Sequence, residues 1–431
     1  MPASRMLTAA SLAALLAACT PSLRDAPSVI EAEPMVEEEI GLAEPVMEPV
    51  FDAAPIVTEA PSSSSYAGRA RRGVVTAGDI DDALNLNAFS RYLSRAGRET
   101  GLPKLGLSQP VLAQLVGVDG QPAPGARYTL RRPGAAEPFH SGYAGPDGRI
   151  AVFLGVLGTT ALKSVEMRVF DGNGQETTAR TLRTGQWQRV DLPFDADWQP
   201  DFLDLVLVVD TTGSMGDEIA FLNKELIGIT RAAARTAPGL SVRYGLIAYR
   251  DHYDDYVVRN YGFTSKPSEM SGWLRGLRAD GGGDYPEAAA AALKSGVGLN
   301  WRRGKGERIL IHVADAPPHN KDAATYLGAA KRAAEKGVQV FTLGASGVAD
   351  EAEYLMRQAS VATGGRYMFL TDDSGVGNAH AEPTVSCYRV TRLAGLLTRI
   401  LSTELTGRRH EAAAGDVIRE VGTYRAGICR N

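Results

Sequence analysis

The fold of this chain is decided by the stretch Leu203-Asp204-Leu205-Val206-Leu207-Val208-Val209-Asp210-Thr211-Thr212-Gly213-Ser214-Met215-Gly216. Its first part, residues 203–209, is an apolar, valine-rich run that is typical of a parallel strand buried on both faces. Asp210 ends the run, the hydroxyls of Thr212 and Ser214 follow, and a glycine lets the backbone turn sharply into a predicted helix. A strand end, an oxygen-rich turn and a helix start together form a crevice that can hold a hard cation.

The rest of the C-terminal half alternates between strand and helix patterns, which predicts an α/β fold with a doubly wound, mostly parallel sheet. We predict strands at 203–209, 241–248, 308–314, 339–343 and 366–369, and helices at 216–235, 267–278, 286–297, 322–336, 351–362 and 385–405.

The motif D-x-T-G-S-M closely resembles the metal-ion-dependent adhesion site of von Willebrand factor type A (VWA) domains, whose usual pattern is D-x-S-x-S. The resemblance implies that three loops at the carboxyl ends of strands hold one divalent cation. The first loop would supply Asp210, Thr212 and Ser214, and the third would supply Asp315 at the end of its strand. The second is the run G-G-G-D-Y-P-E, which brings Asp284 where the family normally has threonine. An N-cap role is the alternative for Asp284.

Oxygen ligands favour Mg²⁺, with Mn²⁺ or Ca²⁺ as alternatives. The resemblance implies a non-enzymatic protein-binding module, in which neutral hydroxyls leave the cation attractive to an acidic residue of a partner protein. Three aspartates around one cation would weaken that attraction or favour Ca²⁺, unless Asp284 acts through water. A partner-contacting rim is predicted at Arg250, Asp251, Asp254, Tyr285 and His319. A second cation site or a solvated loop are the alternatives for residues 249–256.

Two other classes of function compete with this interpretation. The run Thr212-Gly213-Ser214-Met215-Gly216 nearly matches the hydrolase elbow G-x-S-x-G, with His312 or His319 as base, but the first glycine is missing. An aspartyl-phosphate phosphatase would need a second aspartate after Asp210, and it is absent. The other alternative is a structural scaffold of the cell envelope with a vestigial metal site.

The N-terminus carries targeting signals. Arg5 precedes an apolar run that is shorter than the roughly 20 residues needed to span a bilayer. It ends in Leu16-Ala17-Ala18-Cys19, which resembles the lipobox of bacterial lipoproteins, so Cys19 is the expected lipidated residue and membrane anchor. Because Thr20 rather than Asp follows, the outer membrane of a Gram-negative-type bacterium is expected. Cys387 and Cys429 remain, and an oxidising compartment favours a disulfide between them over two free thiols.

These observations predict a signal peptide at 1–18, a disordered acidic tether at 19–73 and a connecting helix at 74–104, with Asp79, Asp81 and Asp82 as solvated acids. Residues 105–198 resemble a carboxypeptidase-regulatory or Ig-like β-sandwich, residues 199–407 the VWA domain, and residues 408–431 form a tail. The net charge of −4 argues against nucleic-acid binding. The six histidines show no serial zinc-binding spacing, and the sequence gives no indication of oligomeric state.

Overall fold

The computed structural model describes residues 58–59, 74–159, 162–283, 285–345, 347–374 and 383–430, all within the compact unit Pro45–Asn431. The predicted signal peptide, Cys19, Asp284 and the tether lie outside the described residues, except that Thr58–Glu59 form a two-residue strand. No helix in the described part of the chain is both long and apolar enough to cross a membrane.

The described strands are, in chain order, β1 (Thr58–Glu59), β2 (Thr76–Ile80), β3 (Val111–Val116), β4 (Arg127–Arg131), β5 (Pro138–Tyr143), β6 (Arg149–Val152), β7 (Ser164–Phe170), β8 (Glu176–Arg183), β9 (Trp187–Asp191), β10 (Phe202–Asp210), β11 (Ser241–Tyr249), β12 (Val258–Thr264), β13 (Gly306–Ala314), β14 (Gln339–Gly344), β15 (Tyr367–Thr371), β16 (Tyr388–Arg392), β17 (His410–Glu411), β18 (Arg419–Val421), β19 (Thr423–Arg425) and β20 (Ile428–Arg430). The α-helices are α1 (Leu86–Thr100), α2 (Gly216–Ala234), α3 (Pro267–Gly276), α4 (Ala289–Gly298), α5 (Ala323–Lys336), α6 (Asp350–Thr363) and α7 (Leu393–Thr406).

The central sheet has the strand order β12-β11-β10-β13-β14-β15-β2-β16-β18. Strands β11, β10, β13, β14 and β15 run parallel, and the strands outside them pair antiparallel. One face packs against α1, α4, α5 and α6, and the other against α2, α3 and α7. The sheet is therefore doubly wound and mostly parallel at its centre, as predicted.

The register of the three central strands places their carboxyl ends side by side. Val209 of β10 pairs with Ala248 of β11 and with Val313 of β13. The residues that follow these positions, including Asp210 and Asp315, therefore meet at one edge of the sheet. We call this the carboxyl edge.

A β-rich region precedes β10. Strands β6-β3-β9 form one sheet and β5-β4-β7-β8 another, and they share an apolar core that includes Leu115, Leu130 and Val165. The chain enters this region only after β2 and α1 have joined the α/β layers, so the β-rich region is inserted between two parts of the α/β fold.

Three predictions about element boundaries were wrong. Residues 76–80 form a strand of the central sheet rather than the start of a helix, because Ala77 is buried and Gly78 leaves room for the ring of Phe369. Residues 388–392 form strand β16 before helix α7 begins. The predicted tail adds β18 to the sheet by pairing with β16.

The acids predicted to be solvated are paired instead. Asp82 is buried and accepts hydrogen bonds from Arg357 (2.7 and 2.9 Å). Asp81 lies 3.0 Å from Arg409, and Asp79 lies 3.3 Å from Arg366. These arginines come from positions far along the chain, so local sequence gave no sign of the pairing.

Candidate metal centre

Asp210 lies at the end of β10, whose nine residues are all buried. A short 3-10 turn, Gly213–Met215, and helix α2 follow it. The backbone NH and hydroxyl of Thr212 both donate to Asp210 Oδ1, at 2.9 and 2.8 Å. The second oxygen, Oδ2, is buried and has no hydrogen bond of good geometry from any described residue. The turn therefore fixes the carboxylate through Oδ1.

The protonation of Asp210 reflects this environment. Burial raises the pKa of its carboxyl to about 7; the Thr212 backbone hydrogen bond opposes the rise and the nearby Asp315 adds to it.

Asp315 lies just beyond the end of β13 and is buried. Burial raises the pKa of its carboxyl, and a hydrogen bond from the Ser214 side chain opposes that rise. Its backbone carbonyl accepts a hydrogen bond of 3.1 Å from the Tyr285 hydroxyl. Asp210, Thr212, Ser214 and Asp315 therefore lie together at the carboxyl edge.

A glycine loop runs across this pair of turns. Gly213 NH donates to the carbonyl of Gly281 at 3.2 Å. Gly281 and Gly282 have φ of +82° and +77°, which favour glycine. A Cβ at Gly282 would lie 3.1 Å from Thr212 Cβ and from Glu287 Oε1. The loop can thus approach the site closely only because these residues lack side chains.

Glu287 is a member of the site that the sequence analysis missed. Its side chain is 4% exposed, and its Oε2 is buried without a hydrogen-bond partner. Burial, reinforced by the charges of Asp210, Asp251, Asp254 and Asp315, raises the pKa of its carboxyl to about 9. Glu287 ends the run G-G-G-D-Y-P-E. An acidic residue shortly after the three glycines was the sequence signal that could have identified it as part of the site.

The loops are connected by backbone hydrogen bonds. Glu287 NH donates to the Pro317 carbonyl at 2.9 Å, and Ala288 NH donates to the Arg250 carbonyl at 3.2 Å. Gly282 NH donates to the Asp254 carboxylate at 3.1 Å. The loops after β11 and β13 and the glycine loop therefore form one scaffold around the carboxylates.

The predicted rim is only partly exposed. Arg250 is 5% exposed and donates to the Arg278 carbonyl, while Asp251 is 3% exposed, so for these two the prediction of an exposed rim was wrong. The Asp251 carboxylate contacts His319 Nε2 at 2.8 Å, so both side chains connect neighbouring loops. Tyr285 is half exposed, and Tyr253, which the sequence analysis did not single out, is 99% exposed.

The two histidines proposed as a hydrolase base make side-chain contacts with tyrosines or with an aspartate. The ring of His312 contacts the hydroxyls of Tyr249 and Tyr326, each at 3.0 Å, and burial lowers its pKa to about 3. His319 Nε2 contacts Asp251 Oδ1 at 2.8 Å. These contacts pair neither histidine with Ser214.

The donor set fits a hard divalent cation. Asp210, Asp315 and Glu287 offer carboxylate oxygens, and Thr212 and Ser214 offer hydroxyls, which suit Mg²⁺, Mn²⁺ or Ca²⁺. Two buried carboxylate oxygens without hydrogen bonds, on Asp210 and Glu287, are the orphaned acceptors that such an ion would satisfy.

Comparison with known proteins agrees with this class of fold. A family model described as the von Willebrand factor A domain matches residues 204–377, so this segment is similar to that domain. Strand β2, helix α1 and the inserted β-rich region lie before the matched segment.

Two curated proteins match shorter segments. An ariadne-like RING finger protein of Acanthamoeba polyphaga mimivirus is 38% identical over 122 residues, which are 28% of this chain and 12% of that protein. The alpha-protein kinase vwkA of Dictyostelium discoideum is 28% identical over 137 residues, 31% of this chain and 22% of that protein. The chain thus spans less than a quarter of either relative.

Two solved structures are also similar. The pilus adhesin SpaC from Lactobacillus rhamnosus GG has a TM-score of 0.33 and 16% identity, covering 49% of this chain and 31% of its own. The conserved hypothetical protein BatB from Bacteroides thetaiotaomicron has a TM-score of 0.30 and 17% identity, covering 41% of this chain and 91% of its own.

Proposed function

We propose that this chain is a membrane-anchored, divalent-cation-dependent protein-binding module without catalytic activity. The observation that carries the proposal is a pair of buried oxygens, Asp210 Oδ2 and Glu287 Oε2. Both lie near Asp315, and neither has a hydrogen-bond partner among the described residues. Buried carboxylates are normally paired with cations or hydrogen-bond donors. A bound cation would supply the missing charge.

Binding of a partner follows from the charge balance of this site. Asp210 and Asp315 would hold Mg²⁺, with Thr212 and Ser214 as neutral donors, and Glu287, whose pKa is raised in the metal-free protein, offers a further oxygen. The bound cation attracts an aspartate or glutamate of the partner protein. The charge of Asp284, outside the described residues, would reduce that attraction if it is a direct ligand, which an Asp284→Asn variant would reveal as tighter partner binding.

The membrane anchor rests on the lipobox-like sequence that ends in Cys19. A lipidated N-terminus followed by an acidic tether would place the VWA domain at the outer membrane of a Gram-negative-type cell envelope. Metabolic labelling with radioactive palmitate tests the anchor. Label is expected in the wild type and not in Cys19→Ser, and equal labelling of both would contradict the assignment.

Partner binding is tested by capture from envelope extracts on the immobilised mature chain, with Mg²⁺ or with EDTA. Proteins retained in Mg²⁺ should be lost in EDTA and on Asp210→Asn. Asp255→Asn is the matched control, since the Asp255 side chain is 84% exposed on the same edge, and it should retain them. Identical retention under all conditions would contradict metal-dependent binding and favour the envelope scaffold.

A further inference from the structure

Asp251, His252 and His319 form a cluster of possible metal ligands that the oxygen-based site does not use. One potential ligand atom from each residue lies within 4.8 Å of the others. Asp251 and His252 follow β11, and His319 follows β13, so residues 68 positions apart in sequence converge here. Serial spacing along the chain could not reveal this set, because the fold alone brings the two loops together.

The cluster is held by its scaffold. Asp251 is buried, and its backbone NH donates to Asp254 Oδ2 at 3.0 Å. The segment before His319 is fixed where Pro318 forms a parallel bridge with Glu287. The carbonyl of His319 accepts a hydrogen bond of 2.7 Å from Asp322 NH. The two loops therefore present the ligands from fixed backbones.

The side chains already converge. His319 Nε2 lies 2.8 Å from Asp251 Oδ1, and the rings of His252 and His319 have centroids 5.4 Å apart. Ligand atoms in a tetrahedral zinc site lie about 3.3 Å apart when each is about 2.0 Å from the metal. His252 is exposed and His319 is partly exposed, so burial does not prevent either ring from changing rotamer toward that spacing.

We propose that Asp251, His252 and His319 form a second cation site, selective for a nitrogen-preferring divalent metal such as Zn²⁺. Two imidazoles and one carboxylate form a typical three-ligand zinc set, with a fourth position open to water or to a partner. The neighbouring site offers oxygen donors only and suits Mg²⁺. The inference is independent of the proposed function, since it concerns different ligands and a different metal.

A bound Zn²⁺ would cross-link the loops after β11 and β13. Glu287 connects this cross-link to the first site. Its NH donates to the Pro317 carbonyl, and the charge of Asp251 contributes to the raised pKa of its carboxyl. Occupancy of the second site would therefore stiffen the carboxyl edge that carries the first.

The test is titration of the mature chain with ZnCl₂ by calorimetry, and with CoCl₂ by visible absorption, whose intensity distinguishes tetrahedral from octahedral coordination. We expect one tight equivalent in the wild type. His252→Ala should weaken it at least about 10-fold and His252→Ala/His319→Ala about 100-fold or more. The control His140→Ala, in the β-rich region, should leave both signals unchanged. Because His252 is exposed, its single variant should fold, and retained Mg²⁺ binding would verify this.

The Asp210→Asn variant separates the two sites. It should lose Mg²⁺ binding and keep the zinc equivalent with its cobalt spectrum. Zinc binding that is equal in the wild type and the double histidine variant would overturn the proposal. Zinc binding abolished by Asp210→Asn would also overturn it, because zinc would then occupy the oxygen site. Failure of Mg²⁺ binding in the wild type contradicts the proposed function and leaves the zinc site standing.

Discussion

Strand β10 contains two fully buried aspartates with opposite electrostatic environments. Asp204, near its start, accepts hydrogen bonds from Arg243 at 2.6 and 2.9 Å and from the Arg302 guanidinium at 2.7 Å. Burial works to raise the pKa of Asp204, but the hydrogen bonds of these arginines outweigh it, and the pKa lies below its ordinary value. Asp210, at the end of the strand, accepts hydrogen bonds from Thr212 and has a raised pKa of about 7.

The difference shows which of the two carboxylate charges is neutralised by other side chains of the protein. Both carboxylates are fully buried, and arginine side chains pair with Asp204, whereas no described ion pair involves Asp210. Asp210 instead lies beside Asp315 and Glu287, two further acids. This cluster is the reason for the proposal that a bound cation supplies the compensating charge.

The largest expected effect is on folding stability. Asp204→Asn should lower the free energy of unfolding by about 3 kcal/mol, because it leaves two arginines without their shared anion. Asp210→Asn in EDTA should leave the free energy of unfolding within about 1 kcal/mol of the wild type, or raise it, because this substitution leaves no positively charged side chain unpaired. Urea denaturation of both variants measures this, and equal losses would contradict the comparison.

The second-largest effect is expected in the stability gained on metal addition. Here Asp210→Asn, and not Asp204→Asn, should differ from the wild type. At free Mg²⁺ of 100 times its Kd, the wild type should gain about 2.7 kcal/mol of stability. Asp204→Asn should show the same gain from its lower baseline, and Asp210→Asn should show none. Thermal denaturation with and without EDTA checks it, and a gain in Asp210→Asn would place the ion elsewhere.

The pH dependence of the metal-free protein sharpens the contrast further. The pKa of Glu287 is raised from 4.5 to about 9, so its contribution to stability is full below pH 4.5 and is lost as the pH rises through 9. In EDTA the Tm should fall between pH 7 and 9, and Glu287→Gln should flatten this fall because glutamine does not ionise. If Glu287→Gln leaves the pH dependence of the Tm unchanged, ionisation of Glu287 is not the cause of the fall.

The smallest effect on stability is expected at Tyr253, which is 99% exposed beside the site. Tyr253→Ser should change the free energy of unfolding by less than about 0.5 kcal/mol and should leave Mg²⁺ affinity unchanged. It should nevertheless reduce capture of a partner in Mg²⁺, because an exposed aromatic ring offers contact area. Undiminished capture would remove Tyr253 from the contact surface.

The central fold could be predicted because its signals are local. The apolar run of β10, the oxygen-rich turn after Asp210 and the strand–helix alternation each occupy consecutive residues, and parallel topology then brings Asp315 to the same edge. The proposed metal ligands between Asp210 and Asp315 were predicted from that topology together with the VWA resemblance.

The rest depended on distant partners. Strand β2 is only five residues long and contains a glycine, and it is specified by its neighbours β15 and β16. Asp82 looked like a solvated helix-start acid until the fold supplied Arg357, 275 positions away. The burial of Glu287, which makes it part of the site, likewise arises only when the loops close over it.

The most direct test of the account is calorimetric titration of the mature chain with Mg²⁺ and Mn²⁺. We predict one equivalent bound by the wild type and by Asp255→Asn, and no detectable binding at millimolar metal by Asp210→Asn. Absence of binding in the wild type, or equal binding in Asp210→Asn, would contradict the claim that a cation neutralises the acids at the end of β10.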